Sequence, residues 1–129
     1  MGVNLSELTS GVIGACIEVH RELGAGLLES TYEGCLCHEL SNRGIHFARQ
    51  KALPVVYKGE RIDCGYFIDV LVEDVLVLEL KSVEAVLPVH KAQLLTYLKL
   101  GNLPVGLLIN FNVVRLTNGI TRLVNQYKE

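Results

Sequence analysis

The chain has 129 residues, of which 50% are hydrophobic and 20% are charged. This length and composition exclude a disordered chain and predict one folded domain over residues 1–129 with a sizeable core. The formal net charge of −2 excludes a protein that holds nucleic acid through a general positive field, so any such role needs a local site.

The N-terminus and the four cysteines bear on location. The first residues lack the basic and apolar regions of a secretory signal peptide. No apolar run reaches the roughly 18 to 20 residues of a membrane-spanning helix. We therefore expect a soluble, cytoplasmic protein with free thiols and no membrane partner.

Two helices are predicted in the first third of the chain. Apolar residues recur at helical spacing over 5–23, behind Asn4 and Glu7, which can form a capping box. A glycine-containing break at 24–26 ends this helix. A second helix is predicted over 28–43, with Gly44 as a left-handed stop.

Strands follow the second helix. The apolar period changes from about 3.6 to about 2, which predicts strands over 45–51, 53–58 and 61–73. The segment 58–60 is typical of a hairpin turn, and Glu73 and Asp74 separate the two most strongly β-forming runs, 67–72 and 75–80. We expect the centre of the sheet there.

The last part of the chain is predicted to hold one more helix and further strands. The helix covers 89–100, with Pro88 in its first turn and Gly101 as its stop. A buried strand is expected over 104–111, with short strand pieces at 113–116 and 120–124. The order ααββββαβ, with some β additions, predicts an α/β or α+β domain.

An acid and a base stand together at the end of an apolar strand. In a strand over 76–81 the three leucines share one face, and Val77, Glu79 and Lys81 share the other. A partly buried Glu79 needs Lys81, a metal ion or hydrogen-bond donors nearby. The same pair is also typical of an ordinary edge-strand salt bridge.

Asp69 adds a second carboxylate on the neighbouring strand, and oxygen ligands suit Mg²⁺ or Mn²⁺. Its direction depends on the loop between the strands. A two-residue turn pairs Asp69 with Leu78 and points it away from Glu79, whereas a three-residue loop or a bulge pairs Asp69 with Glu79 on one face. The metal hypothesis requires the second arrangement.

These residues resemble a known family. Asp69 followed by Glu79-x-Lys81, and then by a helix bearing Gln93 and Tyr97, is similar to the PD-(D/E)XK nuclease superfamily. The segment GLLESTY at 26–32 matches the signature of its GxxExxY family. The resemblance extends over nearly the whole chain through the segments 20–24, 87–100 and 105–111.

Two positions depart from the pattern of that family. Ile68 stands in place of the proline before the aspartate, and Phe67 stands where many relatives have an arginine. The second departure can remove a phosphate contact or a partner of a carboxylate, so it affects substrate binding more than metal binding.

The resemblance implies a restriction-endonuclease-like core, with a central mixed β-sheet flanked by helices, and a metal-dependent phosphodiesterase ancestry. It implies that Asp69 and Glu79 hold Mg²⁺ or Mn²⁺ together with the backbone carbonyl of Leu80, and that the metal lowers the pKa of a bound water. Lys81 would orient that water and stabilise charge on the phosphoryl oxygens.

Further candidates surround this set. Glu29 could bring another metal-binding carboxylate from the second helix, and Gln93 is a catalytic candidate that could hold the scissile phosphate or the nucleophile. The substrate-binding candidates are Tyr97, Tyr32 and His90. For the tyrosines the alternative is a core residue with its hydroxyl at the rim, and for His90 it is a residue at a helix start or on the surface.

The leading functional prediction is a Mg²⁺-dependent nuclease that hydrolyses nucleic-acid phosphodiesters with a metal-activated water, DNA being favoured over RNA. One alternative is a non-catalytic interaction module that keeps the nuclease fold and forms a homo-oligomer or binds a protein partner, as the high hydrophobicity of a small domain suggests. Another is a metal-dependent enzyme acting on a small phosphorylated substrate.

Overall fold

The computed structural model describes residues 3–125. Three α-helices and seven strands are assigned within that part of the chain. The helices are α1 (Leu5–Leu23), α2 (Glu29–Asn42) and α3 (Pro88–Gly101). The strands are β1 (Phe47–Ala52), β2 (Val55–Tyr57), β3 (Glu60–Ile62), β4 (Phe67–Val72), β5 (Leu76–Lys81), β6 (Val105–Asn110) and β7 (Ile120–Val124).

Five of the strands form one mixed sheet in the order β1-β4-β5-β6-β7. β5 and β6 run parallel, and the other neighbouring pairs are antiparallel. α3 connects the two parallel strands, since a parallel pair needs a crossover rather than a hairpin. β2 and β3 form a separate hairpin. The central mixed sheet flanked by helices is confirmed.

The helices cover both faces of the sheet. Residues of α1 and α2 pack against one face in a buried cluster that includes the three leucines of β5. Residues of α3 pack against the other face, in a cluster that includes Val77. The predicted division of β5 into a leucine face and a Val77 face is therefore correct, and Glu79 follows Val77 by two residues at the end of the strand.

Local turns follow the predicted turn chemistry. Lys58 and Gly59 have φ values of 50° and 83° and form the two-residue turn of the β2–β3 hairpin. Gly44, which follows α2, has a φ of 72°. At the start of α1 the Asn4 side chain accepts a hydrogen bond from the Glu7 backbone N–H at 3.0 Å.

Three boundary predictions are wrong. The single strand over 61–73 is divided into β3 and β4, because Gly65, whose φ is 76°, interrupts the extended backbone between them. The strand piece at 113–116 is irregular and leads into a 3₁₀ turn (Leu116–Gly119), with Val114 almost fully exposed. α3 includes Gly101 and ends at Asn102, which is in the left-handed conformation that asparagine tolerates.

No helix within residues 3–125 has the length and apolar character needed to cross a membrane.

Candidate active site

The loop between β4 and β5 decides where the acidic residues point. Val72 pairs with Leu76, so residues 73–75 form a three-residue loop. The first two residues of this loop, Glu73 and Asp74, have φ values of 51° and 60°, a conformation that aspartate adopts more easily than most residues. The resulting register places Asp69 opposite Glu79, which is the arrangement that the metal hypothesis requires.

The two carboxylates replace regular strand pairing at this end of the sheet. The β4–β5 register extends to Val70 and Leu78. Beyond it, Asp69 Oδ2 accepts a hydrogen bond from the Leu80 N–H at 2.9 Å. Glu79 Oε2 accepts one from the Asp69 N–H at 3.1 Å. Each carboxylate is therefore held by the backbone of the opposite strand.

Burial makes the ionised form of this pair costly. Glu79 is only 7% exposed, and burial together with the neighbouring Asp69 carboxylate raises the pKa of Glu79 to about 8. Burial also raises the pKa of Asp69, although the hydrogen bonds that its carboxyl group accepts lower it in part. The Lys81 ammonium group favours the ionised form of both carboxyl groups, so it opposes this rise in their pKa without cancelling it.

The available donor atoms fit a hard divalent cation. Glu79 Oε1 accepts no hydrogen bond from residues 3–125 and is not sealed from solvent. No cluster of three or more His, Cys, Asp or Glu side chains in the described chain is suited to a metal ion. Mg²⁺ commonly uses only one or two carboxylates and completes its shell with waters and substrate phosphates. Asp69, Glu79 and the Leu80 carbonyl satisfy that requirement with oxygen donors alone.

Two residues that the sequence reasoning missed are linked to Asp69, Gln50 directly and Glu33 through Gln50. Gln50 Nε2 donates to Asp69 Oδ1 at 3.2 Å and to Glu33 Oε1 at 2.9 Å. Glu33 is 9% exposed and forms a 2.7 Å ion pair with Arg49. A signal for Glu33 was present, because it lies on the buried stripe of α2 that continues through residues 36, 37 and 40.

Glu29, the predicted ligand from α2, has a different position. Its Oε2 accepts a hydrogen bond from the Ser82 N–H at 3.2 Å, and the Ser82 hydroxyl donates to the Leu27 carbonyl at 2.6 Å. Glu29 thus ties the start of α2 to the residue that follows Lys81. The carboxylate of α2 that is linked to Asp69, through Gln50, is Glu33, one turn further along the helix.

Gln93 and Tyr97 lie together on α3. Gln93 Nε2 donates to the Tyr97 hydroxyl at 3.1 Å. Tyr97 is 6% exposed, whereas Gln93 is exposed. Tyr97 packs in the buried cluster of Val77, the residue two before Glu79, and burial and the nearby Glu79 carboxylate raise the pKa of its phenol.

Tyr32 and His90 have local structural contacts. Tyr32 is fully buried, its ring stacks on Phe111 with centroids 4.4 Å apart, and its hydroxyl donates to the Gly24 carbonyl. His90 Nδ1 accepts a hydrogen bond from the Leu87 N–H at 3.0 Å, at the first turn of α3. The surroundings of these two residues are those of a core tyrosine and a helix-start histidine.

Asn110 is a further residue that sequence reasoning did not single out for a role. It is 3% exposed and pairs in register with Lys81 on the parallel strand. Its side chain accepts from the Val83 N–H at 3.1 Å and donates to the Val83 carbonyl at 3.0 Å. The signal was a polar residue at the end of the otherwise apolar strand VGLLIN. Asn110 fixes the chain just beyond Lys81.

The fold and this site together define a class of protein. A mixed sheet flanked by helices, with Asp69 and Glu79 on adjoining strands and Lys81 beside them, has the arrangement of a restriction-endonuclease-like fold. The family model described as the PD-(D/E)XK nuclease superfamily matches residues 6–123. The chain therefore belongs to the PD-(D/E)XK nuclease superfamily.

Membership of this superfamily indicates a nuclease-type function and, in general, nucleic acid as the partner. Nucleases of this superfamily generally use Mg²⁺ or Mn²⁺. Comparisons with curated proteins and with solved structures find no match.

Proposed function

We propose that this protein is a Mg²⁺- or Mn²⁺-dependent nuclease that hydrolyses phosphodiester bonds, with DNA rather than RNA as its substrate. The observation that carries the proposal is a pair of hydrogen bonds, in which the Asp69 and Glu79 side chains each accept from the backbone of the other's strand. These hydrogen bonds hold the two carboxyl groups together at the end of β5, beside Lys81.

Each residue has a distinct role in the proposed site. Asp69, Glu79 and the Leu80 carbonyl would hold the metal ion, which supplies an acidified water and positive charge for the phosphoryl oxygens. The Lys81 ammonium group would orient the attacking water and stabilise the charge that develops on the phosphate. The position of Lys81 supports this role, because it follows Glu79 by two residues on β5 and so shares its face of the strand.

Gln93 and Tyr97 are proposed to bind the scissile phosphate. Gln93 is exposed, and its hydrogen bond to the Tyr97 hydroxyl limits its motion. Burial favours the protonated phenol, so Tyr97 remains a hydrogen-bond donor at neutral pH. Both side chains can therefore offer N–H or O–H groups to a phosphate oxygen.

We further assign the chain to the GxxExxY family within the superfamily. The support is the segment 26–32, in which Tyr32 bonds to the Gly24 carbonyl and Glu29 bonds to the backbone of Ser82. The glutamate of the signature holds the start of α2 against the segment after β5, and the tyrosine holds the connection that precedes α2.

A cleavage assay with matched variants tests the nuclease proposal. Supercoiled DNA, single-stranded DNA and RNA are incubated with the protein and Mg²⁺ or Mn²⁺. We expect Asp69→Asn, Glu79→Gln and Lys81→Ala each to reduce DNA cleavage by about a hundredfold or more. The exposed controls Asp74→Asn, Glu60→Gln and Lys91→Ala remove the same charges elsewhere and should cut like the wild type. Cutting that survives in all three site variants would come from a contaminant and would contradict the proposal.

Binding of the metal is measured separately by calorimetry with Mn²⁺. The wild type is expected to bind, and Asp69→Asn is expected to bind at least about tenfold more weakly. A wild type that takes up no Mn²⁺, or an Asp69→Asn variant that binds equally well, would exclude the assigned ligands.

Assembly is the second proposal, because apolar side chains near α3 are exposed. Leu87 is 50% and Val89 is 64% exposed at the start of this helix. We propose that a second copy of the chain covers this region. Light scattering of the wild type and of Val89→Asp tests it, and a wild type that is monomeric at all concentrations would refute it.

A reducing compartment, the cytoplasm, is the proposed location. All four cysteines are free, and Cys64 is exposed. An exposed thiol without a disulfide partner is typical of proteins in reducing compartments.

A further inference from the structure

Gln50 has an unusual backbone conformation for a residue within a strand. Its φ is 52°. Its neighbours Arg49 and Lys51 pair regularly with Val70 and Ile68 on β4, so Gln50 lies opposite Asp69. Among residues 3–125, the other four non-glycine residues with positive φ lie in hairpin loops or at the end of α3. Glutamine has no local preference for this conformation, which therefore costs folding free energy.

The side chain explains what this conformation achieves. Gln50 Nε2 lies 2.9 Å from Glu33 Oε1 and 3.2 Å from Asp69 Oδ1. Both partners are carboxyl oxygens, which accept hydrogen bonds from an amide N–H. The amide nitrogen must therefore face both of them. Arg49 Nε lies 2.7 Å from the other oxygen of Glu33, and this ion pair holds the Glu33 carboxyl group in place for the amide.

Both oxygens of Asp69 are consequently held. Oδ1 accepts from Gln50, and Oδ2 accepts from the Leu80 N–H at 2.9 Å. Two contacts from different strands prevent rotation of the carboxylate. Side chains that hold a ligand in this way commonly strengthen metal binding without touching the metal.

We infer that Gln50 is a positioning residue that orients Asp69 for the divalent cation, and that Glu33 and Arg49 support it. The inference rests on the proposed metal-dependent nuclease site. Gln50 is itself exposed, so it fills no core space whose loss could imitate this effect.

Two substitutions at this position separate the side chain from the backbone. Gln50→Gly removes the amide and also relieves the positive φ, whereas Gln50→Ala removes the amide and keeps the strain. Lys58→Gly is the matched control, because Lys58 also has a positive φ of 50° and lies in the β2–β3 turn. Mn²⁺ affinity is measured by calorimetry on all four proteins, with thermal unfolding as the measure of stability.

We expect both Gln50 variants to bind Mn²⁺ about tenfold more weakly than the wild type. Gln50→Gly should nevertheless unfold at a temperature equal to or above that of the wild type, and Gln50→Ala below that of Gln50→Gly. Lys58→Gly should keep the affinity of the wild type. Weakened binding in a protein that has not lost stability is a result that a purely structural role does not give.

The opposing outcomes are distinct. If the wild type binds Mn²⁺ and Gln50→Gly binds equally well, the positioning role is refuted while the proposed function stands. If only Gln50→Ala is weakened, or if Lys58→Gly is weakened to the same extent, backbone effects explain the data and the inference fails. If the wild type binds no Mn²⁺, the proposed function fails first and the inference fails with it.

Discussion

Asp69 and Glu79 lie close together because each accepts a hydrogen bond from the other strand's backbone. These two hydrogen bonds satisfy backbone donors that the separated strands no longer pair. They also bring two carboxylates into a site where burial disfavours charge. The free energy of unfolding of the metal-free protein should therefore depend on pH.

The pH prediction concerns Glu79, whose pKa rises from 4.5 to about 8 on folding. The folded state binds this proton more tightly than the unfolded state, so the contribution of Glu79 to stability is complete below pH 4.5, falls as the pH rises to about 8 and is absent above it. We expect the unfolding temperature of the metal-free wild type to fall over this range, and the fall to be smaller in Glu79→Gln. Thermal unfolding at several pH values measures it.

Two controls accompany this measurement. Glu60→Gln removes an exposed carboxylate of β3 and should keep the slope of the wild type. Adding Mg²⁺ should stabilise the wild type most at the alkaline end, where both carboxylates are ionised. An equal slope in the wild type and in Glu79→Gln would show that the carboxyl group does not carry the pH dependence.

At the scale of elements, the connection between α1 and α2 is held by Tyr32. The Tyr32 hydroxyl donates to the Gly24 carbonyl and accepts from the Leu27 N–H at 3.2 Å. One buried side chain on α2 thus satisfies both a carbonyl and an amide of the connection. The connection in turn precedes Glu29, which bonds to the residue after Lys81.

Tyr32→Phe tests this connection. The substitution keeps the ring that stacks on Phe111 and leaves two backbone groups without their partner. We expect a loss of about 1 to 3 kcal/mol in the free energy of unfolding, measured by urea denaturation. Tyr57→Phe changes a 59% exposed tyrosine and should shift stability by less than about 0.5 kcal/mol. Equal effects of the two substitutions would contradict the assigned role.

At the scale of the whole molecule, the site receives groups from both helical layers. Glu33 comes from α2 on one side of the sheet, and Tyr97 comes from α3 on the other. The Glu33 carboxylate contributes to the raised pKa of Glu79, and the Glu79 carboxylate contributes to the raised pKa of Tyr97. The site therefore depends on the packing of both layers, and a probe of global opening reports on its integrity.

The cysteines provide such a probe. Cys64 is exposed, whereas Cys16 is fully buried in the core between α1 and the sheet. Burial raises the pKa of Cys16 to about 12, and the thiolate is the form that reacts. We expect a thiol reagent to label Cys64 rapidly and Cys16 on the order of a thousandfold more slowly, because its labelling requires opening of the core.

Mass spectrometry of the labelled peptides measures the two rates. Cys64→Ser should remove the fast phase and leave the slow one unchanged. Adding denaturant should accelerate labelling of Cys16 in parallel with global unfolding. Rapid labelling of Cys16 in the native protein would show that the core between α1 and the sheet opens by itself.

Much of the architecture follows from the sequence alone, because periodicity is a local property. Helical spacing predicts α1, and alternation predicts both the leucine face of β5 and the separation of Glu79 from it. The short motif Glu79-x-Lys81 with Asp69 is likewise visible in the sequence. These features depend on residues near one another in the chain, so no knowledge of packing is needed to find them.

Only the tertiary structure decided how these residues meet. The sequence permits both a two-residue and a three-residue loop after Val72, and the pairing of Val72 with Leu76 shows that the chain adopts the latter. Glu33 reaches Asp69 only through Gln50, a residue 17 positions away on β1. Such contacts depend on the relative placement of α2, β1 and β4, which is a long-range property of packing that spacing along the chain does not contain.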